Sequence, residues 1–307
     1  MASLWRWKYA NPWSWPGEGP TVLLAFIDKK LVGSIAYMRI PLQLGRRETT
    51  AAGWLMDNIT HPGYRKHLYG SSLRLMCALP SVPGIGLAAG VPATIRRVLA
   101  KRLHTKELRE HEFWGWVLRK QEERAEEPLP ARNGFQLSEV GRFPEEITAL
   151  YEKIAKGYGV LVRRDAQYLN WRYVDVPFAP NPYLKFVVRK AGRARGVLVL
   201  RRSSRNRRVG IIKELFLGRR DKRLREFALR CAKKIFRARG VRQVKILFSN
   251  KETGLKKSLL QEGFLPLFSS PGFCYYLPAA RKLSAGKAFK KGFHLSGGDS
   301  DLGLLLE

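Results

Sequence analysis

Cysteine, acidic residues and long apolar runs are all scarce in this chain of 307 residues. The three cysteines, Cys77, Cys231 and Cys274, stand far apart in sequence. No two form a CxxC pair and no Cys/His cluster has zinc spacing, so neither a disulfide framework nor a structural metal organises the fold. They read as reduced core thiols of a cytosolic protein. No apolar run reaches the roughly 18 residues of a spanning helix. The Trp-rich opening MASLWRWKYANPWSWP lacks the apolar core of a secretory signal. The expected location is the cytoplasm, with contact to the inner membrane face left open. Acids number 25 against 57 Lys and Arg, a net charge of +32. Such a surface attracts nucleic acid, anionic lipid or phosphorylated substrates. An Arg-rich codon usage accounts for the same charge with no partner at all. The apolar share of 45% is that of a globular protein.

What is abundant is internal echo. WKYANP at Trp7–Pro12 returns as WRYVDVP at Trp171–Pro177. Each is followed by a β-rich run in which Gly33 and Gly196 hold matching places. Basic hairpin tips follow at Arg46-Arg47 and Arg207-Arg208, then the apolar strands GWLMDNIT and IIKELFL. Both copies then enter an amphipathic helix, LYGSSLRLMCAL or DKRLREFALRCAKKIF. The ordered landmarks indicate two copies of one α/β unit. Expected boundaries are 1–120 for a first module with an incomplete N-terminal part, 121–133 for an acidic, Pro-containing linker, 134–280 for a second module and 281–307 for a basic, loosely ordered tail.

The segment DNITHPGYRKHLYGSSLRLM, Asp57 to Met76, carries the most chemistry. A strand ends near Thr60, Pro62-Gly63 makes a turn, and a helix is expected to begin by about Tyr69. Such a junction aims backbone N–H groups and the positive end of a helix dipole at one spot. Arg65 and Lys66 add full charges, and Gly70 admits close approach. The pattern suits a pyrophosphate; an ordinary basic surface turn has the same composition.

With the order of elements, this loop resembles that of the GNAT (GCN5-related N-acetyltransferase) family, whose acetyl-CoA loop reads Arg/Gln-x-x-Gly-x-Gly/Ala, often within PEYRGRGIGSAL-like strings. Here it reads PGYRKHLYGSSL, matching at Pro62, Tyr64, Arg65, Gly70, Ser71 and Leu73, with Leu68 in place of the first glycine. The resemblance implies two GNAT-like (acyl-CoA N-acyltransferase) modules with mixed central sheets flanked by helices. It implies that amides from Arg65 through Lys66, His67, Leu68, Tyr69 and Gly70 to Ser71 contact the CoA pyrophosphate. It further implies that Asn58, Ile59 and Thr60 hold the pantetheine arm, with acetyl-CoA or another acyl-CoA as co-substrate and no metal. The landmarks WRWKY…NP, RRDAQYLNWRY…P and GGDSD look like a bacterial tandem-GNAT subgroup tied to polysaccharide or envelope assembly, with a distant likeness to the Fem peptidyltransferases. In the second copy, lining up Gly63 with Gly218 sets Arg225 opposite Gly70, so no CoA loop is expected there.

Acyl transfer to an amine needs a base and an oxyanion dipole. Asp57, ending an apolar strand, is the first candidate base, where desolvation raises a carboxyl pKa; capping the following turn is its plainer role. His61 is the second candidate. The helix VPATIRRVLAKRLH lacks the Tyr that many GNAT enzymes use as acid. Between Lys185 and Lys245 stand about two dozen Lys/Arg but only Glu214, Asp221 and Glu226 as acids. Three activities follow: an N-acyltransferase acting on an amine-bearing small molecule or lipid-linked amino sugar, a tRNA-dependent aminoacyl transferase, or a non-catalytic polyanion binder. An anionic membrane surface is a further candidate partner.

Overall fold

The computed structural model describes residues 2–13, 21–45, 48–64, 85–88, 91, 93–108, 111–118, 134–178, 180–218, 220–269, 273–277, 287–289, 292–296 and 299. The chain forms two compact units, and neither is continuous in sequence. One comprises Met1–Arg109 with Pro271–Lys291, the other Glu110–Ser270 with Gly292–Glu307. The boundaries expected at 120 and 134 therefore differ from those of the compact units.

In the first unit, helix α1 (Ala2–Tyr9) precedes the antiparallel strands β1 (Thr21–Ile27), β2 (Lys30–Leu44) and β3 (Glu48–Thr60). Strand β4 (Ile85–Ala88) runs parallel to β3, pairing with Ala52–Trp54. Helix α2 (Ala93–Leu103) and strand β5 (Lys106–Leu108) follow. The ladder between β4 and β5 is completed by a late strand, Phe273–Tyr276.

The second unit opens with β6 (His111–Val117), β7 (Phe135–Glu139), helix α3 (Glu146–Ala155), β8 (Val160–Val162) and helix α4 (Ala166–Tyr173). Strands β9 (Tyr183–Lys190), β10 (Arg193–Arg202) and β11 (Val209–Leu217) are antiparallel neighbours. Helix α5 (Lys222–Arg237) crosses over to β12 (Gln243–Ser249), which lies parallel to β11; helix α6 (Thr253–Gln261) and β13 (Leu265–Ser269) follow. The sheet order is β13-β6-β12-β11-β10-β9-β7. The late strand of the first unit is β14, and β15 (Phe293–His294) pairs with β8. Thus β6 enters the second sheet and β14 the first. Hydrophobic alternation specifies that a strand is half-buried but not which sheet buries it.

A large core cluster of the second unit lies under α5. Leu224, Phe227, Cys231 and Ile235 of α5 pack on Leu198, Leu200, Ile212 and Phe248 of the sheet. Asp221 caps α5 by accepting from the Leu224 amide at 2.9 Å. Gly263, with φ of +79°, ends the segment after α6. The Cys231 and Cys274 thiols are buried, and burial pushes them up to about 12 and about 11; Cys77 lies outside the described residues. Among the described residues no helix is long and apolar enough to cross a membrane.

The registers around Gly33 and Gly196 in the two sheets are as follows. Met38 faces Trp54 and Gly33 faces Thr60 in the first. Arg201 faces Ile211 and Gly196 faces Leu217 in the second. Gly53 lies under the Tyr37 ring as Gly210 lies under Phe236, each too close for a Cβ.

Candidate active site

Among the described residues, a parallel strand pair in each unit stops pairing part-way along. The β3–β4 ladder covers Ala52–Trp54, after which β3 runs on to Thr60 against β2. The β11–β12 ladder ends at Ile212 and Ile246, after which β12 continues against β6. A split of this kind leaves strand edges at a cleft mouth, where main-chain groups are available to a ligand.

Each splitting strand carries a bulge and an acid at the split. In β3 the register slips between Ser34 and Ala36, so Asp57 and Asn58 together oppose Ile35. Asp57 has a φ of +49°, a left-handed conformation that Asp and Asn tolerate better than other side chains. In β11 the slip between Val199 and Leu200 makes Lys213 the extra residue beside Glu214. Bulges re-aim side chains and are concentrated next to active sites.

A tyrosine meets each acid. Tyr9, the last residue of α1 and buried, donates its hydroxyl to Asp57. Lys8 Nζ donates to the two carboxylate oxygens at 3.4 and 3.2 Å. In the second unit Tyr173, the last residue of α4, donates to Glu214 Oε2 at 3.2 Å. The WKY and WRY landmarks are thus more than the core anchors their aromatic character suggests: each positions a phenol on the acid of its own unit.

The environments of the two acids differ. The Asp57 side chain retains 29% exposure, enough for a small molecule to reach it. Glu214 is sealed. Arg164, itself fully buried, pairs with Glu214 at 3.0 Å and with Asp299 at 2.5 Å. Ser296 Oγ donates to Glu214 at 2.9 Å, and His294 Nδ1 lies 2.6 Å from Glu252 Oε1. Burial alone raises a carboxyl, but Arg164, His294 and Ser296 outweigh it and hold Glu214 down at about 2. Burial pushes His294 down, but Glu252 and Glu214 overcome it and raise His294 to about 9. This cluster holds residues 293–296 and 299, part of the stretch expected to be a loosely ordered tail: Phe293, Leu295 and Asp299 are buried, with β15 paired to β8 and Asp299 on Arg164.

Among the described residues Asp57 bonds to Lys8 and Tyr9, and the turn that follows is held by another side chain. It is His61: its Nδ1 accepts the Gly63 amide at 3.2 Å, and its carbonyl accepts from Tyr64 N at 3.0 Å. His61 is exposed. Asn58, Ile59 and Thr60 continue β3 beyond Asp57 along the split. Arg65, Lys66, His67, Leu68, Tyr69, Gly70 and Ser71 lie outside the described residues. Sequence reasoning missed Lys8, Tyr9 and the Arg164 cluster as site features; the signal available for the tyrosines was their equal place in the two landmarks.

No protein-family profile matches the chain, and no curated protein matches its sequence. Solved structures do resemble it. A GCN5-related N-acetyltransferase from Anabaena variabilis superposes with a TM-score of 0.56 at 12% identity, over 83% of this chain and 62% of that one. A probable N-acyltransferase from Enterococcus faecalis gives 0.57 at 12% identity, over 88% and 64%.

The fold is that of the GCN5-related N-acetyltransferases.

The N-myristoyltransferase of Saccharomyces cerevisiae, solved with myristoyl-CoA bound, also resembles the chain, with a TM-score of 0.52 at 12% identity, over 90% of this chain and 73% of that one. The chain spans a little under two thirds of the length of the Anabaena and Enterococcus proteins. At such identities the likeness concerns fold, and function is argued from the site.

Proposed function

We propose that the chain is an acyl-CoA-dependent N-acyltransferase whose chemistry belongs to the first unit and whose second unit, of the same descent, has lost the CoA loop. The observation that carries this reading is Asp57: a reachable acid on a bulge, at the split of a parallel strand pair, bonded to a buried tyrosine. In this reading the amides from Arg65 to Ser71 hold the CoA pyrophosphate and Asn58–Thr60 hold the pantetheine arm. The acceptor nitrogen attacks the thioester carbonyl, a C–N bond forms and the C–S bond breaks. Asp57 takes the proton that the nitrogen loses. Tyr9 protonates the departing thiolate and regains a proton from Asp57 along their hydrogen bond, which supplies the acid that α2 lacks. The net proton movement is from amine to thiol, and no other reactant is consumed. His61, whose ring nitrogen accepts the turn amide, serves the loop rather than the proton transfer.

The resemblance to envelope-associated tandem GNAT proteins favours an amino sugar, free or lipid-linked, as acceptor. Acetyl-CoA is the simplest donor. The test is release of CoA thiol from acetyl-CoA in the presence of a panel of primary amines that includes amino sugars. Amine-dependent thiol release is expected. Its absence with acetyl, myristoyl and intermediate acyl chains would rule out acyl transfer to these amines.

A further inference from the structure

We infer that one face of the β1–β2 hairpin, continued by Ile59 on β3, docks on an anionic lipid bilayer. Strand β1 reads TVLLAFI, apolar on both sides of its pleat. A strand covered by a core on one side normally turns polar residues outward. Its second apolar set therefore needs an explanation of its own. Leu23 and Ala25 pack with Ile35 and Tyr37 in a core cluster of the first unit. Alternation sends Leu24 and Phe26 to the opposite face.

The neighbouring strands continue that face. Leu24 pairs with Ser34, Ser34 pairs in turn with Ile59, and Phe26 pairs with Leu31. Leu24, Phe26, Leu31 and Ile59 are between 49% and 58% exposed. Large apolar side chains scattered singly over a surface need no account, but a contiguous group marks an interaction site. The hairpin closes through a two-residue turn with both central residues at positive φ, Asp28 at +47° and Lys29 at +64°. This turn sets Asp28, Lys29 and Lys30, all exposed, at the edge of the apolar group. Lys30 lies over the Tyr64 ring at 5.7 Å.

Charge selects the occupant. A net charge of +32 opposes association with a second copy of the chain and favours an anionic surface. Phenylalanine and leucine beside long-stemmed lysines suit a bilayer interface: the apolar groups enter the headgroup boundary, and the ammonium groups stay with the lipid phosphates. The face also adjoins the candidate site. Ile59 stands two residues beyond Asp57 on β3, and the His61 amide donates to the Val32 carbonyl of the hairpin at 2.9 Å. A docked hairpin holds Asp57 near the headgroups, so the acceptor amine is one carried by a membrane lipid. That last step rests on the acyl-transfer reading; the docking does not.

The experiment is flotation of the full chain with vesicles of phosphatidylcholine alone and of an equimolar mixture with phosphatidylglycerol. Wild type is expected to float with the mixed vesicles and not with phosphatidylcholine alone. The double variant F26S/L31S is expected to lower the partition coefficient about tenfold or more. The control L260S/L265S removes two similarly exposed leucines from the second unit, and is expected to change it by no more than about twofold. Melting temperatures check that both variants are folded. No binding to the mixed vesicles, equal losses in the two double variants, or a loss confined to R207Q/R208Q, which removes two cations from the β10–β11 tip, would overturn the inference. A wild-type dimer that F26S/L31S converts to a monomer would assign the face to a second copy and overturn it as well. Vesicle binding needs no turnover, so its failure and the absence of thiol release are separate results.

Discussion

Asp57→Asn lowers the rate of acyl transfer by about 10²- to 10⁴-fold, the usual contribution of a positioned general base, while leaving acyl-CoA affinity unchanged. Asparagine is the informative replacement for a conformational reason. Asp57 has a φ of +49°, which asparagine adopts readily and alanine does not. Asp57→Ala would therefore mix backbone strain with loss of the carboxylate. Asparagine also keeps an acceptor for Tyr9 and Lys8, so the bulge and α1 remain in place. Tyr9→Phe removes the phenol alone and is expected to cost about tenfold in kcat, the equivalent of one hydrogen bond. The measurement is kcat and KM for acyl-CoA in each variant, with thermal unfolding as the check on fold. A fall in KM-dependent binding with kcat preserved would assign Asp57 to CoA positioning instead.

Arg164→Met destabilises the second unit by about 3–5 kcal/mol, because it strands Glu214 and Asp299 without their shared cation in a site closed to water. The readout is denaturant unfolding. The same cluster makes stability depend on pH. His294 is raised from 6.5 to about 9 in the folded protein. Burial opposes that rise; the carboxylates of Glu252 and Glu214 cause it. A group bound more tightly to its proton when folded stabilises fully below its unfolded pKa and loses that contribution as pH rises through the folded value. Stability should therefore decline between pH 6.5 and 9, by roughly 3 kcal/mol at most. His294→Gln should flatten this alkaline limb. A wild-type profile level from pH 6.5 to 9 would contradict the ionised arrangement.

The two predictions rest on residues that were unequally legible in the sequence. The helices of the second unit could be read directly, because α5 has a continuous apolar face and an aspartate cap. The strands β9, β10 and β11 were legible from their apolar runs between Gly- and Arg-rich turns. The exchange of β6 and β14 between sheets was not, since period alone does not name the partner strand. The acid strands and the WKY and WRY landmarks were visible separately, and Asp57 was identified as a candidate. The Tyr9–Asp57 and Tyr173–Glu214 bonds join residues 48 and 41 positions apart, and local pattern is silent on such pairings. Asp299 was hidden for the same reason: its polar, glycine-flanked stretch reads as tail, while its partner Arg164 lies 135 residues earlier.

The central claim is that the first unit is the one that binds acyl-CoA. The most direct measurement is protection against thermal unfolding by acetyl-CoA, in wild type and in Gly70→Arg. A ligand at about 100 times its Kd stabilises by about 2.7 kcal/mol, which shifts a transition visibly. Acetyl-CoA is expected to raise the melting temperature of wild type and of Arg225→Gln, the position opposite Gly70 in the second unit, and Gly70→Arg is expected to abolish the shift without altering the melting temperature of the free protein. A shift that survives Gly70→Arg but disappears in Arg225→Gln would place the CoA site in the second unit and contradict that claim.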